Sequence, residues 1–520
     1  MKKFFLTAAV SLGVSLAGQE AVAQTTDTNV PDFKLNEASI SSIANAVRSQ
    51  RVSCEKIVAS YISRIETLDK AGSKPVNAVI AVNPMAIERA REIDASKDKR
   101  ALPLACAPLI IKDNVDVKGM PTTAGSRSLA DNVALDDATQ VARLEQAGAI
   151  VLAKANLAEF AWTADLSDSS LGGLSRNPYD VNRTTGGSSG GTAAAVAANF
   201  GVAGLGTDTG ASIRGPSALQ NLVGLRPTLG ASSRDGVVPI WLTRDTLGPM
   251  ARSVEDVALI YQVTYGYDPK DASTQASISA PEFKAASVLK RGSLAGMRIG
   301  VLRQNISQDQ PDPSVMSRFD GAISDLTRAG AVVVDVSIKD YKRLADISWP
   351  VRMEYDFNAY LRAQGDERKV KTFADVVKSG LYNNDVGVWL KKQAGAPAPD
   401  ASKDEESDRN KTSALRTALV GAMDRDNLAM VIYPTWTQPA RNLEGLSGDG
   451  GNANSLIAHA GLPAITVPMG DTPDHLPTGL QFAGRPFSEN VLVSAAYDYE
   501  QLTRHRTAPE SLPPAVLTGD

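Results

Sequence analysis

Residues 138–153 read ATQVARLEQAGAIVLA, and this stretch sets the fold class. The first ten residues are a helix that stops at Gly148, because glycine enters the left-handed conformation at a helix end without a Cβ penalty. The next five, AIVLA, are a continuous apolar run, which marks a strand buried on both faces. The same order of helix, glycine and strand returns at 319–336, where Gly330 precedes AVVVDV, and Leu109-Ile110-Ile111 is a further buried run. Repeated units of this kind predict an α/β fold in which helices cover both faces of a central sheet. Upstream, residues 53–67 place Ile57, Val58, Tyr61, Ile62 and Ile65 at helical spacing, predicting a peripheral amphipathic helix. No fixed period recurs, which argues against a solenoid. Two segments, 268–291 and 380–412, mix turn residues with charges. Both are expected to run over the surface, the second bordering a pocket.

The chain has 520 residues, 43% hydrophobic and 22% charged, enough for a large core and outside the range of disordered or coiled-coil proteins. Its formal net charge is −4, with 54 basic against 58 acidic residues, so no basic excess exists to neutralise a phosphate backbone. Nucleic acid is excluded as an expected partner. Two cysteines and three histidines are spread without zinc-ligand spacing, so neither a metal nor another cofactor is expected.

Met1-Lys2-Lys3 is a positive start, residues 4–18 are apolar but short for a bilayer span, and Ala21-Val22-Ala23 fits an A-x-A cleavage site. Residues 1–23 are therefore read as a signal peptide, with an uncleaved anchor as the alternative, and 24–34 as a flexible arm. The expected location is periplasmic or secreted, with no membrane association after cleavage. Export would let Cys54 and Cys106 pair, but one disulfide adds little to a core this large. Cys106 is read instead as a small buried hydrophobe.

Residues 184–199 read TTGGSSGGTAAAVAAN, a glycine and serine loop that leads into an alanine-rich helix. Composition alone also fits a flexible linker. The tightly structured sequence that follows weakens that reading, and the absence of the required lysine removes a phosphate-binding loop. What remains is a tight loop that turns Ser188 and Ser189 inward. A second loop, 204–216, reads GLGTDTGASIRGP, after a short strand and before a helix that would begin at Pro216. Its N–H groups can converge on one point, as stabilising a tetrahedral oxyanion requires, with Ser212 beside them as a nucleophile. Taken alone, such a string more often marks a structural turn with a capping serine. The histidines, His459, His475 and His505, lie near the end of the chain with no obvious acidic partner. Lys112, at the end of the run Leu109-Ile110-Ile111, is the better base, because burial favours its neutral form. A lysine at a strand end is otherwise usually solvated.

These residues together resemble the amidase signature hydrolases. Gly186-Gly187-Ser188-Ser189-Gly190-Gly191 and Gly206-Thr207-Asp208-Thr209-Gly210-Ala211-Ser212-Ile213-Arg214 stand in that family's order, and the phrase Lys112-Asp113-Asn114 fits as well. Residues 294–301 (LAGMRIGV), 460–468 (AGLPAITVP) and 479–486 (GLQFAGRP) look like later family motifs. The resemblance implies one α/β domain over 35–510, with a catalytic core near 101–265, a tail at 511–520, and a mixed, mostly parallel sheet flanked by helices. It implies that Ser212 attacks the carbonyl, Ser188 relays the proton and Lys112 is the final base. Backbone N–H groups of Thr209, Gly210, Ala211 and Ser212 would form the oxyanion hole. Ala211 stands where glycine is more usual, and its Cβ narrows the backbone angles open to that turn. Asp208 and Arg214 are expected to be structural supports.

Pocket-lining segments expected from the resemblance are 354–361 (EYDFNAYL), 433–436 (YPTW) and Trp162. The expected partner is a small-molecule amide, and the favoured activity is hydrolysis of small amides, peptide amides or aryl amides. Carbamate or ester hydrolysis is an alternative. Another is an amidotransferase component, which shares the triad but passes ammonia to a second protein, and which the signal peptide argues against. A catalytically silent binding protein is disfavoured by the joint presence of Lys112, Ser188 and Ser212.

Overall fold

The computed structural model describes residue 1 and residues 33–306, 310–346, 349–363, 365, 369–395, 398–446 and 450–517. The signal peptide beyond Met1, and the arm up to Asp32, lie outside the described residues. Among those described are β1 (Val79–Val82), β2 (Pro108–Lys112), β3 (Ile150–Ala155), β4 (Arg176–Asn177), β5 (Asp180–Thr184), β6 (Ala203–Asp208) and β7 (Val223–Arg226). They are followed by β8 (Thr246–Ala251), β9 (Arg298–Val301), β10 (Val332–Asp335), β11 (Met430–Pro434), β12 (Ala464–Asp471) and β13 (Pro477–Ala483). Strands β4 and β5 pair with each other, and the other eleven make one sheet in the order β1-β3-β2-β6-β8-β7-β12-β13-β11-β9-β10.

The apolar runs form strands where their patterns placed them. Helix Thr139–Gln146 ends before Gly148, which has φ +96°, and the chain turns directly into β3. Helix Pro313–Arg328 and Gly330, at φ +92°, lead in the same way into β10. Such units leave their strands parallel to a neighbour: β2 with β3 and β6, and β9 with β10 and β11.

The sheet is mixed and flanked by helices, as expected, but parallel pairs do not dominate. Four of the ten neighbouring pairs are parallel and six antiparallel, the latter including the whole middle from β6 to β11. The physical reason lies in the connections. No helix joins β7 to β8 or β12 to β13, and a strand that returns without a helical crossover pairs antiparallel.

Helix Cys54–Leu68 is the predicted amphipathic one. The Ser53 side chain caps it, accepting from the Lys56 N–H at 3.1 Å, and Ile57, Val58, Tyr61 and Ile65 are buried. Its first residue corrects the reading of the cysteines: Cys54 is bonded to Cys106, with Cα atoms 5.6 Å apart. Packing brings the helix start against the turn before β2, a contact that spacing along the chain does not reveal. The bridge closes a sequence separation of 52 residues, for which chain entropy predicts about 4 kcal/mol of stabilisation. A Cys54→Ala/Cys106→Ala variant should therefore unfold at clearly lower urea concentration while keeping its activity; an unchanged midpoint would refute this.

Segment 380–412 is more regular than expected. It holds helix Asn384–Gln393, which tolerates Gly387 in its interior, and the first half of helix Lys403–Arg425; Gly395 and Pro399 fall between the two. Near the C-terminus, Ala515 is buried and its N–H donates to Asn36 Oδ1 at 3.0 Å. Among the described residues no helix is long and apolar enough to cross a membrane.

Candidate active site

Strand β2 delivers Lys112 into the interior, where it is fully buried. Its Nζ lies 2.7 Å from Ser188 Oγ and 2.7 Å from Thr207 Oγ1, and Asn114 Nδ2 donates to the same threonine oxygen at 3.2 Å. Lys112 thus meets hydroxyls, while the neighbouring Asp113 turns to Lys154 on β3 in a buried ion pair of 2.8 Å. Burial pulls the Lys112 ammonium down to about 7 against the opposing fields of Asp208 and Asp245. A lysine in this state alternates between donor and acceptor near neutral pH.

The glycine and serine loop fits its space only with the residues it has. A Cβ on Gly187 would stand 2.5 Å from the Leu166 carbonyl, and one on Gly191 would stand 2.2 Å from that of Asn156. The Gly187–Ser188 peptide is cis. Helix Gly190–Ala197 follows at once and is buried on every side, which is why its side chains are small. Ser189 joins this loop to the next: its N–H donates to the Ser212 carbonyl at 3.2 Å and its Oγ to the Thr207 carbonyl at 3.1 Å.

The second loop is shorter than its sequence suggested. Strand β6 takes residues up to Asp208, so the turn begins at Thr209, and the helix that follows is Arg214–Ala218, with Pro216 in its first turn. Asp208 holds this turn from below. Its carboxylate accepts from the Ile213 N–H at 3.1 Å, from Arg214 Nε and Nη2 at 3.0 Å each, and from Arg226 Nη1 at 2.9 Å. Burial alone would push this carboxyl up, but the two guanidiniums outweigh it and hold the group far below the usual carboxylate range. Arg214 Nη2 also donates to the Gly210 carbonyl at 3.0 Å. Asp208 and Arg214 are thus braces. Gly210, Ala211 and Ser212 direct no backbone N–H to an acceptor among the described residues. Ala211 fits without the constraint expected of its Cβ: its φ is not positive, and it packs with Leu219, Trp436 and Ala440.

Thr209, Gly210, Ala211 and Ser212 line a cavity of about 700 Å³. Ser212 is 6% exposed, whereas Lys112 and Ser188 are fully buried. Trp162, Trp241, Trp349 and Trp389 also line the cavity, four of the five tryptophans in the chain. Trp241 and Trp349 pack with ring centroids 4.6 Å apart and planes tilted by 41°, and the Trp349 ring lies over Gly210.

Trp162 is therefore in the wall, but segments 354–361 and 433–436 are elsewhere. Phe357, Tyr360 and Leu361 from 354–361 face a separate apolar cluster, because helix Met353–Ala363 buries them against Phe160 and Phe373. Tyr433 is buried, and Trp436 packs against Ala211, with its Nε1 donating to the Gly450 carbonyl at 2.7 Å. Segment 380–412 borders the cavity, as expected, through Trp389, Lys392 and Gln393. Trp241 and Trp349 were missed because each lies outside the motifs. The available signal was that tryptophan is too large and too polar at one edge to be spent often in a core. Among the described residues no group of three or more His, Cys, Asp or Glu side chains is arranged to hold a metal ion.

Residues 56–493 match the Amidase family model. The chain belongs to the amidase signature family. This amidase acts on C–N bonds. It is 34% identical to the A-subunit of the glutamyl-tRNA(Gln) amidotransferase of Symbiobacterium thermophilum over 479 residues, covering 89% of this chain and 96% of that protein. Its structure is similar to that of the native peptide amidase from Stenotrophomonas maltophilia, with a TM-score of 0.81 and 32% identity over 92% of this chain and 99% of the other. The A-subunit of the glutamyl-tRNA(Gln) amidotransferase of Thermotoga maritima is similar at a TM-score of 0.68 and 27% identity, over 94% of this chain and 99% of the other.

Proposed function

We propose that this amidase is an exported hydrolase of small amides and peptide amides that works through an acyl-enzyme on Ser212, Ser188 and Lys112. The observation that carries this reading is a buried lysine of lowered pKa hydrogen-bonded to Ser188, whose neighbour Ser189 donates its N–H to the carbonyl of Ser212, a serine that opens on an aromatic cavity. Ser188 gives its proton to Lys112 Nζ as it takes the proton of Ser212 Oγ, and that oxygen attacks the amide carbon. The carbonyl π electrons move to oxygen, and the N–H groups of the turn Thr209 to Ser212 meet the oxyanion. Collapse breaks the C–N bond while the proton returns through Ser188 to the leaving nitrogen, which departs as ammonia or an amine. Water then loses a proton to the same relay, adds to the acyl carbon and releases the carboxylic acid, restoring Ser212.

The amidotransferase relatives favour a second reading, in which the released ammonia is passed to a partner protein. Three observations support the hydrolase instead. The chain opens with a signal-peptide pattern, the Cys54–Cys106 bridge suits an oxidising compartment, and the TM-score is higher to the peptide amidase than to the Thermotoga maritima protein.

The test is ammonia release by the purified protein acting alone. A peptide amide ending in phenylalaninamide should be cleaved, and Trp389→Ala should lower its kcat/KM about tenfold or more through lost aromatic contact, with acetamide turnover little changed. A chain inert on peptide amides that releases ammonia from glutamine only with added partner proteins would establish the second reading.

A further inference from the structure

Asp245 belongs to neither the serine loops nor the lysine phrase, yet its carboxylate joins two walls of the site. Oδ1 accepts from Thr209 Oγ1 at 2.5 Å, and Oδ2 accepts from the backbone N–H groups of Ile240 and Trp241 at 2.9 Å each. Thr209 opens the oxyanion turn, and Ile240 and Trp241 belong to the aromatic wall; all three line the cavity. The side chain is 4% exposed, so these bonds are not shared with bulk solvent. A carboxylate suits this junction because its two oxygens accept in several directions, whereas an amide has one acceptor oxygen.

The charged groups around it are Lys112, Arg226, Arg234, Arg244 and Asp356. Arg226 pairs with Asp208, Arg234 with Asp271, Arg244 with Asp408, and Asp356 with Arg352. Burial raises the Asp245 carboxyl to about 6, with Thr209 and the Ile240 N–H opposing the shift. It is therefore mostly ionised where Lys112 becomes neutral, and its field favours the charged lysine.

We propose that Asp245 is a positioning residue for amide hydrolysis, locking the Thr209 end of the oxyanion turn to the Ile240 and Trp241 wall so that acyl group and oxyanion donors share one frame. The inference rests on the reading of Ser212 as the nucleophile beside that turn. A frame of this kind acts on the transition state more than on ground-state binding, so its loss falls on kcat.

The experiment compares Asp245→Asn, Thr209→Val, Thr209→Ser, the double variant Asp245→Asn/Thr209→Val, and Ser212→Ala in the full chain, on one small amide. Asp245→Asn should lower kcat about 10- to 100-fold with KM changed less than about threefold, and should move the acid limb of kcat/KM to lower pH, because Lys112 loses a carboxylate that favours its charged form. Thr209→Val should lose kcat similarly, and Thr209→Ser, which keeps the hydroxyl, should recover most of it. The double variant should lose little more than the worse single one, since both cut the same tie. A kcat within about twofold of wild type in Asp245→Asn, an unmoved limb, or fully additive losses would overturn the proposal. Circular dichroism melts check folding, and if Asp245→Asn does not fold, the Thr209 pair decides alone: rescue by serine supports the tie and equal loss rejects it. Ser212→Ala separates the levels. If it is inactive, a normal Asp245→Asn rejects this inference only; if it is active, the underlying reading of the site fails.

Discussion

Ser212→Ala should lower kcat/KM by about four orders of magnitude, because it removes the atom that would form the acyl-enzyme and leaves no other nucleophile at the end of the relay. The fold should survive. The turn is held by main-chain and neighbouring groups that the substitution does not touch: the Ser189 N–H on the Ser212 carbonyl, and Asp208 beneath Ile213 and Arg214. Circular dichroism and the urea midpoint should therefore match wild type while ammonia release disappears. A serine-directed fluorophosphonate should label wild type at Ser212 by peptide mass spectrometry and leave the alanine variant unlabelled. Activity above about one hundredth of wild type would remove Ser212 from the nucleophile's role, and an adduct on Ser188 or Ser189 would reverse the serines.

Lys112→Ala should cost at least about three orders of magnitude, and Lys112→Arg should not restore the rate, since a guanidinium stays protonated and cannot accept the Ser188 proton. An active arginine variant would show that the residue acts as a fixed charge. The pH dependence follows from the same group. Burial lowers its pKa from 10.5 to about 7, so the neutral amine is scarce in acid and predominates above neutrality. The rate should accordingly rise tenfold per pH unit well below about 7 and level off above it, on the wild-type protein and any amide substrate. A rate that peaks in acid would exclude Lys112 as a neutral base. Fluorophosphonate labelling of Ser212 should climb along the same limb, because activation of that oxygen needs the same free lone pair on Nζ.

The chain's local patterns were enough to determine the α/β class, strands β2, β3 and β10, the helix stops at Gly148 and Gly330, and the loops that carry Ser188 and Ser212. Each of these depends on periodicity or steric freedom within a window of about ten residues. The position of Lys112 was legible too, since a lysine at the end of a fully apolar run has few places to go. The tertiary structure alone decided the antiparallel middle of the sheet, where strands such as AGLGTD in β6 carry little apolar signal of their own. It also decided which helix meets the turn before β2, and so paired Cys54 with Cys106. The tryptophan wall and the Asp245 junction arise in the same way, from segments far apart in the chain: Trp162, Trp241, Trp349 and Trp389 converge on one cavity, and Asp245 reaches back to Thr209. Such contacts are set by how whole elements pack, and a side chain's local neighbours in sequence carry no record of which distant surface it will meet.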